Sequence, residues 1–254
     1  MNSIEVIRYL ETFYPKEKAY DWDNVGLQVG SLNSKVKKVL VTLDVTKEVV
    51  KEAIEKKVDL LISHHPLIFK PVYNVQVETP RGWIIHHLIK HGIALYSMHT
   101  NYDTSKGGMN DEFARLIGLE DIEVLDDQEQ IGLIGNISPR SFDDFVSLLH
   151  HDFNLPDIKL IGKPRDVIKR IGFSLGSGSI HMAPAKRKNA DLFLTGDVTY
   201  HTALDAIQMG LTILDIGHYA EKIFKPAIAL QIQSAFPDIE VLISQIDTNP
   251  YTQI

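Results

Sequence analysis

The fold is set by the stretch Lys38–Ser63, whose sequence is KVLVTLDVTKEVVKEAIEKKVDLLIS. Its first part, 38–44, is rich in β-branched and aliphatic residues, as is typical of a buried strand. Thr46 can cap a helix that extends through Lys57, and a second apolar run follows at 59–63. A helix between two apolar strands is the β-α-β unit of parallel sheets. The stretch therefore predicts a layered α/β fold.

The same alternation continues on both sides of this unit. Pro80 follows Thr79 at the start of another predicted helix, which ends near Gly92 before a strand at 93–97. Strands and helices alternate again beyond a polar turn at 126–130, where we place a possible subdomain boundary. The pattern predicts largely parallel sheets. One arrangement compatible with it has two sheets of similar plan.

Composition narrows the classes of function to consider. The 254 residues are 44% hydrophobic, which is enough to fill a core, and the formal net charge of -7 argues against binding to a nucleic-acid backbone. There is no run of 18 apolar residues, and Met1–Phe13 is too charged for a signal peptide. We therefore predict a cytoplasmic protein without a membrane segment. The absence of cysteine means that any metal must be held by imidazole and carboxylate groups.

Histidine is the unusual feature of the composition, since the 11 histidines occur in pairs and clusters. His64 and His65 follow the apolar run 59–63, and Pro66 prevents the strand from continuing. In α/β sheets, functional side chains lie where strands end and loops begin. Both imidazoles could face one crevice and bind one metal ion each. Alternatively, they are two half-exposed loop histidines.

Two further clusters also follow a predicted strand. His99 and Asp103 come after the strand 93–97, although Asp103 could instead cap the next turn or helix. His218 and Glu221 lie three residues apart at the start of a predicted helix and so project from one face, as metal ligands do. Glu221 could alternatively serve only to complement the dipole of that helix.

Three such clusters, each at a strand end, favour a metal site over coincidence. Three imidazoles and two carboxylates are about what two ions with a shared carboxylate need, with water in the open positions. Two divalent cations bring a charge of +4, of which two carboxylates remove two and neutral imidazoles none. The remaining positive charge favours anionic substrates such as phosphates.

Other histidines are explained without metal chemistry. His86, His87 and His91 lie on a predicted amphipathic helix that offers no nearby carboxylate. His150 and His151 lie near the C-terminus of a predicted helix, where a positive side chain is favourable. We expect structural roles for these residues.

Six motifs occur in order along nearly the whole chain: Asp21-Trp22-Asp23-Asn24-Val25-Gly26-Leu27-Gln28-Val29-Gly30, Ser63-His64-His65-Pro66, His99-Thr100-Asn101-Tyr102-Asp103, Thr195-Gly196-Asp197, Gly217-His218-Tyr219-Ala220-Glu221 and Asp247-Thr248-Asn249-Pro250. Together they are highly specific, and the chain resembles the GTP cyclohydrolase 1 type 2 family, also called the Nif-three-like proteins.

The resemblance implies a dinuclear metal site with Glu221 as the bridge between the ions. His99 would be a nearby acid-base group. Family members place the last histidine and glutamate three or four residues apart; here the spacing is three, and residue 222 is lysine. The ions could be Zn, Fe, Mn, Co or Ni, since all of them suit imidazole with carboxylate. The implied ligands are His64, His65, Asp103, His218 and Glu221.

The resemblance also implies a three-layer architecture of two intertwined α/β halves of related topology, and a toroidal homohexamer. We therefore predict a first half at residues 1–125, completed by a strand at 239–250, and a second half at 126–238. The stretch 125–130 leaves no room for the domain that some members insert mid-chain.

The family name implies hydrolysis of a nucleotide or another phosphorylated small molecule, with His99 as a proton shuttle. The alternative is a non-catalytic metal-binding or protein-interaction scaffold, since the other family name records a partner. Asp197 follows a predicted strand and could line the substrate pocket or cap the helix after it. The turn at 176–179 could bind an anion, but it lacks the lysine of a P-loop, and a plain turn is the better explanation. The expected partners are a small anionic substrate and further copies of the chain.

Overall fold

A computed structural model describes residues 1–252 of the chain, in which strands and helices alternate. Across these residues, no helix is both long enough and apolar enough to cross a bilayer. The strands are β1 (Gly26–Val29), β2 (Lys38–Thr42), β3 (Leu60–Ser63), β4 (Ala94–Ser97), β5 (Glu120–Asp126), β6 (Ile131–Ser141), β7 (Lys159–Ile161), β8 (Val167–Phe173), β9 (Leu192–Thr195), β10 (Ile213–Asp215) and β11 (Glu240–Ile243). The α-helices are α1 (Ser3–Phe13), α2 (Lys47–Glu55), α3 (Pro80–Lys90), α4 (Thr100–Asp103), α5 (Met109–Ile117), α6 (Phe142–His151), α7 (Met182–Arg187), α8 (Tyr200–Gln208) and α9 (Phe224–Ala235). Single 3-10 turns or short 3-10 helices span Lys16–Lys18, Gly178–His181 and His218–Ile223.

The chain divides into two compact units, each with its own mixed sheet, which confirms the predicted α/β class. The first unit comprises Met1–Gly108 and Lys222–Thr248, and the second comprises Met109–Glu221 and a segment that begins at Asn249. These divisions lie earlier in the chain than the predicted ones at 125 and 238. The reason is that β5 pairs with β6 in the second sheet, while α9 packs against β2 and β11 in the first.

The sheet of the first unit has the strand order β1-β4-β3-β2-β11. β2, β3, β4 and β11 pair in parallel, and β1 runs antiparallel to β4. Strand residues such as Leu40 and Leu61 are fully buried in one cluster with Val49 of α2 and Leu88 of α3. Burying a side chain of this size contributes about 1.5–3 kcal/mol relative to leaving it in water. The cluster fixes α2 and α3 on the sheet.

Local signals in the sequence produce the helices of this unit as predicted. The hydroxyl of Thr46 accepts a hydrogen bond from the backbone N–H of Val49 at 3.2 Å, which caps α2. Thr79 caps α3 in the same way, with Pro80 at the first helical position. Gly92 follows α3 with a φ of 66°, a conformation that suits glycine at a helix end.

The sheet of the second unit has the strand order β5-β6-β8-β9-β10-β7 and is less parallel than the sequence predicted. β8, β9 and β10 pair in parallel, whereas the other three pairings are antiparallel. The polar turn at 126–130 joins β5 directly to β6, and so short a connection can link only antiparallel strands. The turn that we interpreted as a subdomain boundary is therefore the loop of a hairpin.

Candidate metal-binding residues

In the first unit, three histidines lie beyond the carboxyl ends of adjacent parallel strands. His64 and His65 directly follow β3, and His99 follows its parallel neighbour β4. Because parallel strands end at the same edge of a sheet, the three side chains come together. One ring nitrogen from each lies within 4.8 Å of those of the other two. This spacing would allow a metal ion to bind among them.

The rings of His64 and His65 are each held through the Nδ1 atom. His64 Nδ1 donates to the backbone carbonyl of Met98 at 2.8 Å, and since a carbonyl only accepts, the ring hydrogen is on Nδ1. His65 Nδ1 lies 2.6 Å from Oδ1 of Asp44, whose other oxygen accepts from the Thr248 hydroxyl at 2.6 Å. An acceptor on one ring nitrogen that orients the other is the usual arrangement of metal-binding histidines.

His99 is held by the buried carboxylate of Asp23. Its Nδ1 lies 2.9 and 3.0 Å from the two carboxylate oxygens, and Thr100 donates to the same group through its backbone N–H and its hydroxyl. Burial alone would raise the pKa of the Asp23 carboxyl, but the hydrogen bonds from His99 and Thr100 outweigh it and lower the pKa to about 2. Asp23 is therefore ionised at neutral pH, and the ring hydrogen of His99 is on Nδ1.

Asp103 lies beside the first of these rings. Its Oδ1 is 3.6 Å from Nε2 of His64, whose side chain is fully buried. Asp103 is the last residue of α4, and the next helix, α5, begins at Met109. The first unit thus places His64, His65, His99 and Asp103 at one edge of its sheet.

The second unit has a group of its own at the carboxyl ends of three parallel strands. Gly176 follows β8, Asp197 follows β9 and His218 follows β10. His218 Nδ1 lies 2.7 Å from Oδ2 of Asp197, and its Nε2 lies 3.2 Å from Oε2 of Glu221. The predicted α-helix begins instead as a 3-10 helix, in which residues three apart are stacked on one face. His218 and Glu221 therefore share a face, as their spacing predicted.

Asp197 does not cap the helix that follows it, which was one of the two roles considered from the sequence. The residue that caps α8 is Thr199, whereas the carboxylate of Asp197 accepts from the Ser177 hydroxyl at 2.6 Å and from His218. Burial raises the pKa of the Asp197 carboxyl, but hydrogen bonds from His218 and Ser177 lower it by more. Asp197 also has a φ of 54°, an uncommon backbone conformation that recurs at functional sites. It orients His218 as Asp44 orients His65.

The glycine-rich turn contributes more than a plain connection. Gly176 has a φ of 61°, and its carbonyl accepts from the backbone N–H of Gly196 at 2.8 Å. A Cβ at Gly176 would lie 2.5 Å from Oε1 of Glu221, closer than two such atoms can approach. The missing side chain of Gly176 is therefore what makes room for the Glu221 carboxylate.

Three histidines outside these groups have structural partners. The ring of His87 stacks on that of Trp83, with centroids 3.6 Å apart, and its Nδ1 donates to the Trp83 carbonyl. His150 Nδ1 donates to a backbone carbonyl at 2.7 Å. Sequence reasoning gave no role to His181, whose Nδ1 lies 3.0 Å from Oδ2 of Asp126. A partner 55 residues away leaves no local signal in the sequence.

Two α/β units that each carry anchored histidines and carboxylates define an α/β protein with candidate transition-metal ligands. The family model described as Duf34/NIF3 (NGG1p interacting factor 3) matches residues 1–250, and the chain belongs to this family. A Streptococcus pneumoniae protein named GTP cyclohydrolase 1 type 2 homolog is 38% identical, with all of both chains covered. A Lactococcus lactis protein of the same name is 39% identical over 96% of each chain. The crystal structure of a Staphylococcus aureus hypothetical protein matches with a TM-score of 0.92 and 32% identity, covering 100% of this chain and 99% of that one.

Proposed function

We propose that the protein is a dinuclear metal-dependent hydrolase of a nucleotide or another phosphorylated small molecule, similar to a GTP cyclohydrolase. The observation that carries the proposal is the anchoring of His64, His65 and His218, each of which has an acceptor at Nδ1 that orients Nε2 for coordination. The proposed ligands are His64, His65, Asp103, His218 and Glu221, with Glu221 as the bridge.

The chemistry of this donor set fits divalent ions of the first transition series. Three imidazoles and two carboxylates, without thiolates, suit Zn, Fe, Mn, Co or Ni. Imidazole binds metal only through a deprotonated nitrogen, and the ring hydrogen on Nδ1 of His64 leaves Nε2 in that state. Bound ions would supply Lewis acidity that activates water and polarises the group under attack. Two carboxylates cannot neutralise two divalent ions, and the surplus positive charge would attract an anionic substrate.

His99 has surroundings suited to proton transfer. Its Nδ1 hydrogen is held by Asp23, whose low carboxyl pKa keeps a negative charge beside the ring at neutral pH. With Nδ1 held in this way, Nε2 is the nitrogen that could take a proton from water and return it to a leaving group. We assign His99 the catalytic acid-base role, and Asp23 the role of orienting it.

Relatives support a nucleotide as the substrate class, because those in Streptococcus pneumoniae and Lactococcus lactis are both named GTP cyclohydrolase 1 type 2 homolog. Their similarity extends over nearly the full length of both chains. Asp197 would line the substrate pocket as well as orient His218, since nearly half of its side chain is exposed.

The test is turnover of GTP and of a panel of phosphate esters by native, chelated and metal-reconstituted protein. We expect turnover only with metal, and a loss of kcat of about 10²–10⁴-fold in His99→Gln, the usual contribution of a general acid or base. The matched control is His87→Gln, which changes a histidine that packs on Trp83. Equal turnover by chelated protein, or none by reconstituted protein with any substrate, would contradict the proposal.

A second candidate is a non-catalytic metal-binding scaffold that interacts with other proteins. The family description favours it, because the words NGG1p interacting factor 3 record a partner of one member. In that case, metal binding would survive without turnover of any substrate. With either function we propose a toroidal homohexamer, for which sedimentation should give six times the mass of one chain.

A further inference from the structure

An exposed aromatic surface adjoins His99 in the first unit. Trp22 is 59% exposed and Phe69 is 43% exposed, and their ring centroids lie 5.8 Å apart. Tyr20 stacks on Trp22 with centroids 5.5 Å apart and an interplanar angle of 25°. We call Tyr20, Trp22 and Phe69 the aromatic platform. Single exposed aromatic rings are common on proteins, but three rings in a continuous series of contacts, with Trp22 in the middle, at a candidate active site are not explained by packing.

The platform is built from two loops that are tied together by hydrogen bonds. The side-chain amide of Asn24 donates to the carbonyl of Ile68 at 2.6 Å, and the N–H of Ile68 donates to Oε1 of Gln28 at 3.1 Å. Asn24 and Gln28 belong to the segment that carries Trp22, and Ile68 precedes Phe69. The two exposed rings are therefore held in place without a hydrophobic core around them, and a ligand would need little further ordering of the protein.

The platform is also tied to the strand end that carries the catalytic candidate. The backbone N–H of Tyr20 donates to the hydroxyl of Thr100 at 3.1 Å, and Asp23, next to Trp22, accepts from both Thr100 and His99. The ring centroid of His99 lies 6.2 Å from that of Trp22 and 6.3 Å from that of Phe69. One network thus sets the positions of both His99 and the platform.

His99 in turn contacts two of the proposed metal ligands of this unit. Its ring centroid lies 5.2 Å from that of His64 and 5.6 Å from that of His65. The platform is therefore continuous, through one imidazole, with the residues proposed to bind metal. A ligand with a planar ring at one end and a reactive or anionic group at the other could contact both.

We propose that the aromatic platform binds the heteroaromatic ring of the substrate, such as a nucleobase, by stacking on Trp22. Every nucleobase has a π-face, and stacking on aromatic side chains is a general means of holding bases. In naming the substrate class, the inference rests on the proposed function, but ring binding itself needs neither metal nor turnover. The two can therefore fail separately.

The chain offers a direct optical probe, because Trp22 and Trp83 are its two tryptophans. Trp83→Phe leaves Trp22 as the single tryptophan, and Trp83 lies on α3, stacked on His87. Chelated Trp83→Phe protein is titrated with guanosine, which has the ring but no phosphate, and separately with ribose 5-phosphate, which has the phosphate but no ring. Fluorescence is corrected for absorption by guanosine against free tryptophan amide. We expect saturable quenching by guanosine and none by ribose 5-phosphate.

Calorimetry completes the test, because it measures the affinity for guanosine of native protein and of variants at Trp22 or Trp83. Trp22→Ala should weaken guanosine binding roughly tenfold or more, the effect typical of losing a stacking ring. Trp22→Phe should restore most of the affinity, and Trp83→Phe should leave it unchanged.

The proposal is overturned if guanosine does not bind to chelated protein, or if Trp22→Ala binds it as well as native protein does. Two other outcomes would also overturn it. Quenching by choline in place of guanosine would make the platform a cation site, and a smaller particle for Trp22→Ala in sedimentation, with unchanged guanosine affinity, would make it a contact between copies. Guanosine binding with no turnover of any substrate would contradict the hydrolase and leave the stacking proposal standing.

Discussion

The two units hold an imidazole by the same means but in different surroundings. In the first unit, His65 follows β3, and Asp44, which follows the neighbouring parallel strand β2, holds its Nδ1. In the second, His218 follows β10, and Asp197, which follows the neighbouring parallel strand β9, holds its Nδ1. The side chains of His65 and Asp44 are 23% and 34% exposed, against 34% and 42% for His218 and Asp197. Both units share an aspartate that orients the imidazole ring, whereas the burial of the two side chains differs.

This comparison separates two roles for the sheets. Of the proposed ligands that the first unit supplies, His64 is fully buried, and the side chains of Asp103 and His65 are 13% and 23% exposed, so these ligands also take part in packing. The second unit supplies one imidazole and the Glu221 carboxylate. That carboxylate lies beside Gly176, where a Cβ would leave no room for it. Substitutions of first-unit ligands should therefore reduce both metal binding and stability. Those in the second unit should reduce mainly metal binding.

The largest effect should come from Gly176→Ala. The new Cβ would lie 2.5 Å from Oε1 of Glu221 and displace the carboxylate, so we expect a greater loss of metal affinity than from any change to an anchoring residue. The positive φ of this position adds about 1–2 kcal/mol of backbone strain.

Gly118→Ala provides the matched control, because Gly118 also has a positive φ and a Cβ there would meet nothing within 4 Å. It should lose similar stability and keep its metal, as measured by urea unfolding and by elemental analysis. An equal loss of metal in both variants would show that strain, and not displacement of Glu221, is responsible.

The next effect should come from removing the anchors in each unit. Asp44→Ala and Asp197→Ala remove the carboxylate that orients the ring of His65 or of His218, and each should weaken metal binding about 10–100-fold. Competition with a chromophoric chelator measures the affinity. Thr248→Val, which removes only the hydrogen bond to Asp44, should have a smaller effect than Asp44→Ala. Unchanged affinity in both aspartate variants would remove the shared feature on which the comparison depends.

The sequence predicted the elements of the fold better than the contacts at the strand ends. The stretch Lys38–Ser63 was correctly interpreted because apolar runs and helix caps such as Thr46 are local signals. The anchors were not identified, because Asp44 lies 21 residues from His65 and Asp23 lies 76 residues from His99. No local pattern specifies such pairs.

The second sheet shows a related limit of sequence reasoning. The polar turn at 126–130 was visible, but a turn between two strands is compatible with a boundary or with a hairpin, and the structure has the hairpin of β5 and β6. Asp197 was likewise visible after its strand. Its contact with His218 depends on the parallel pairing of β9 with β10, which is a tertiary feature.

A moderate effect is expected from Asp23→Asn. In chelated protein, the substitution should change how the free energy of unfolding depends on pH. The folded carboxyl pKa of about 2 lies below the unfolded value of about 3.9, so the ionised form is the one that folding favours. Asp23 should therefore contribute about 2 kcal/mol above about pH 4, and lose that contribution as the pH falls toward 2. Urea unfolding at a series of pH values should show the gap between native and variant protein narrowing over this range. A gap of constant size would exclude the ionic contribution.

The smallest effect should come from His87→Gln, away from both groups. His87 packs on Trp83 and donates to its carbonyl, so we expect a loss of about 1 kcal/mol in the free energy of unfolding and no change in metal content. Thermal unfolding and elemental analysis of the same sample measure both quantities. Loss of metal here would mean that a histidine on α3 is a ligand, which the proposed set does not include.

The most direct test of the central claim is the metal content per chain of native protein, His64→Ala and His218→Ala, each after dialysis against the same trace metals. We predict close to two ions per native chain. His64→Ala, in the first unit, and His218→Ala, in the second, should each show a clear loss of metal, whereas His87→Gln should have the same metal content as native protein. Native protein without metal, or variants of His64 and His218 that retain it in full, would contradict the account.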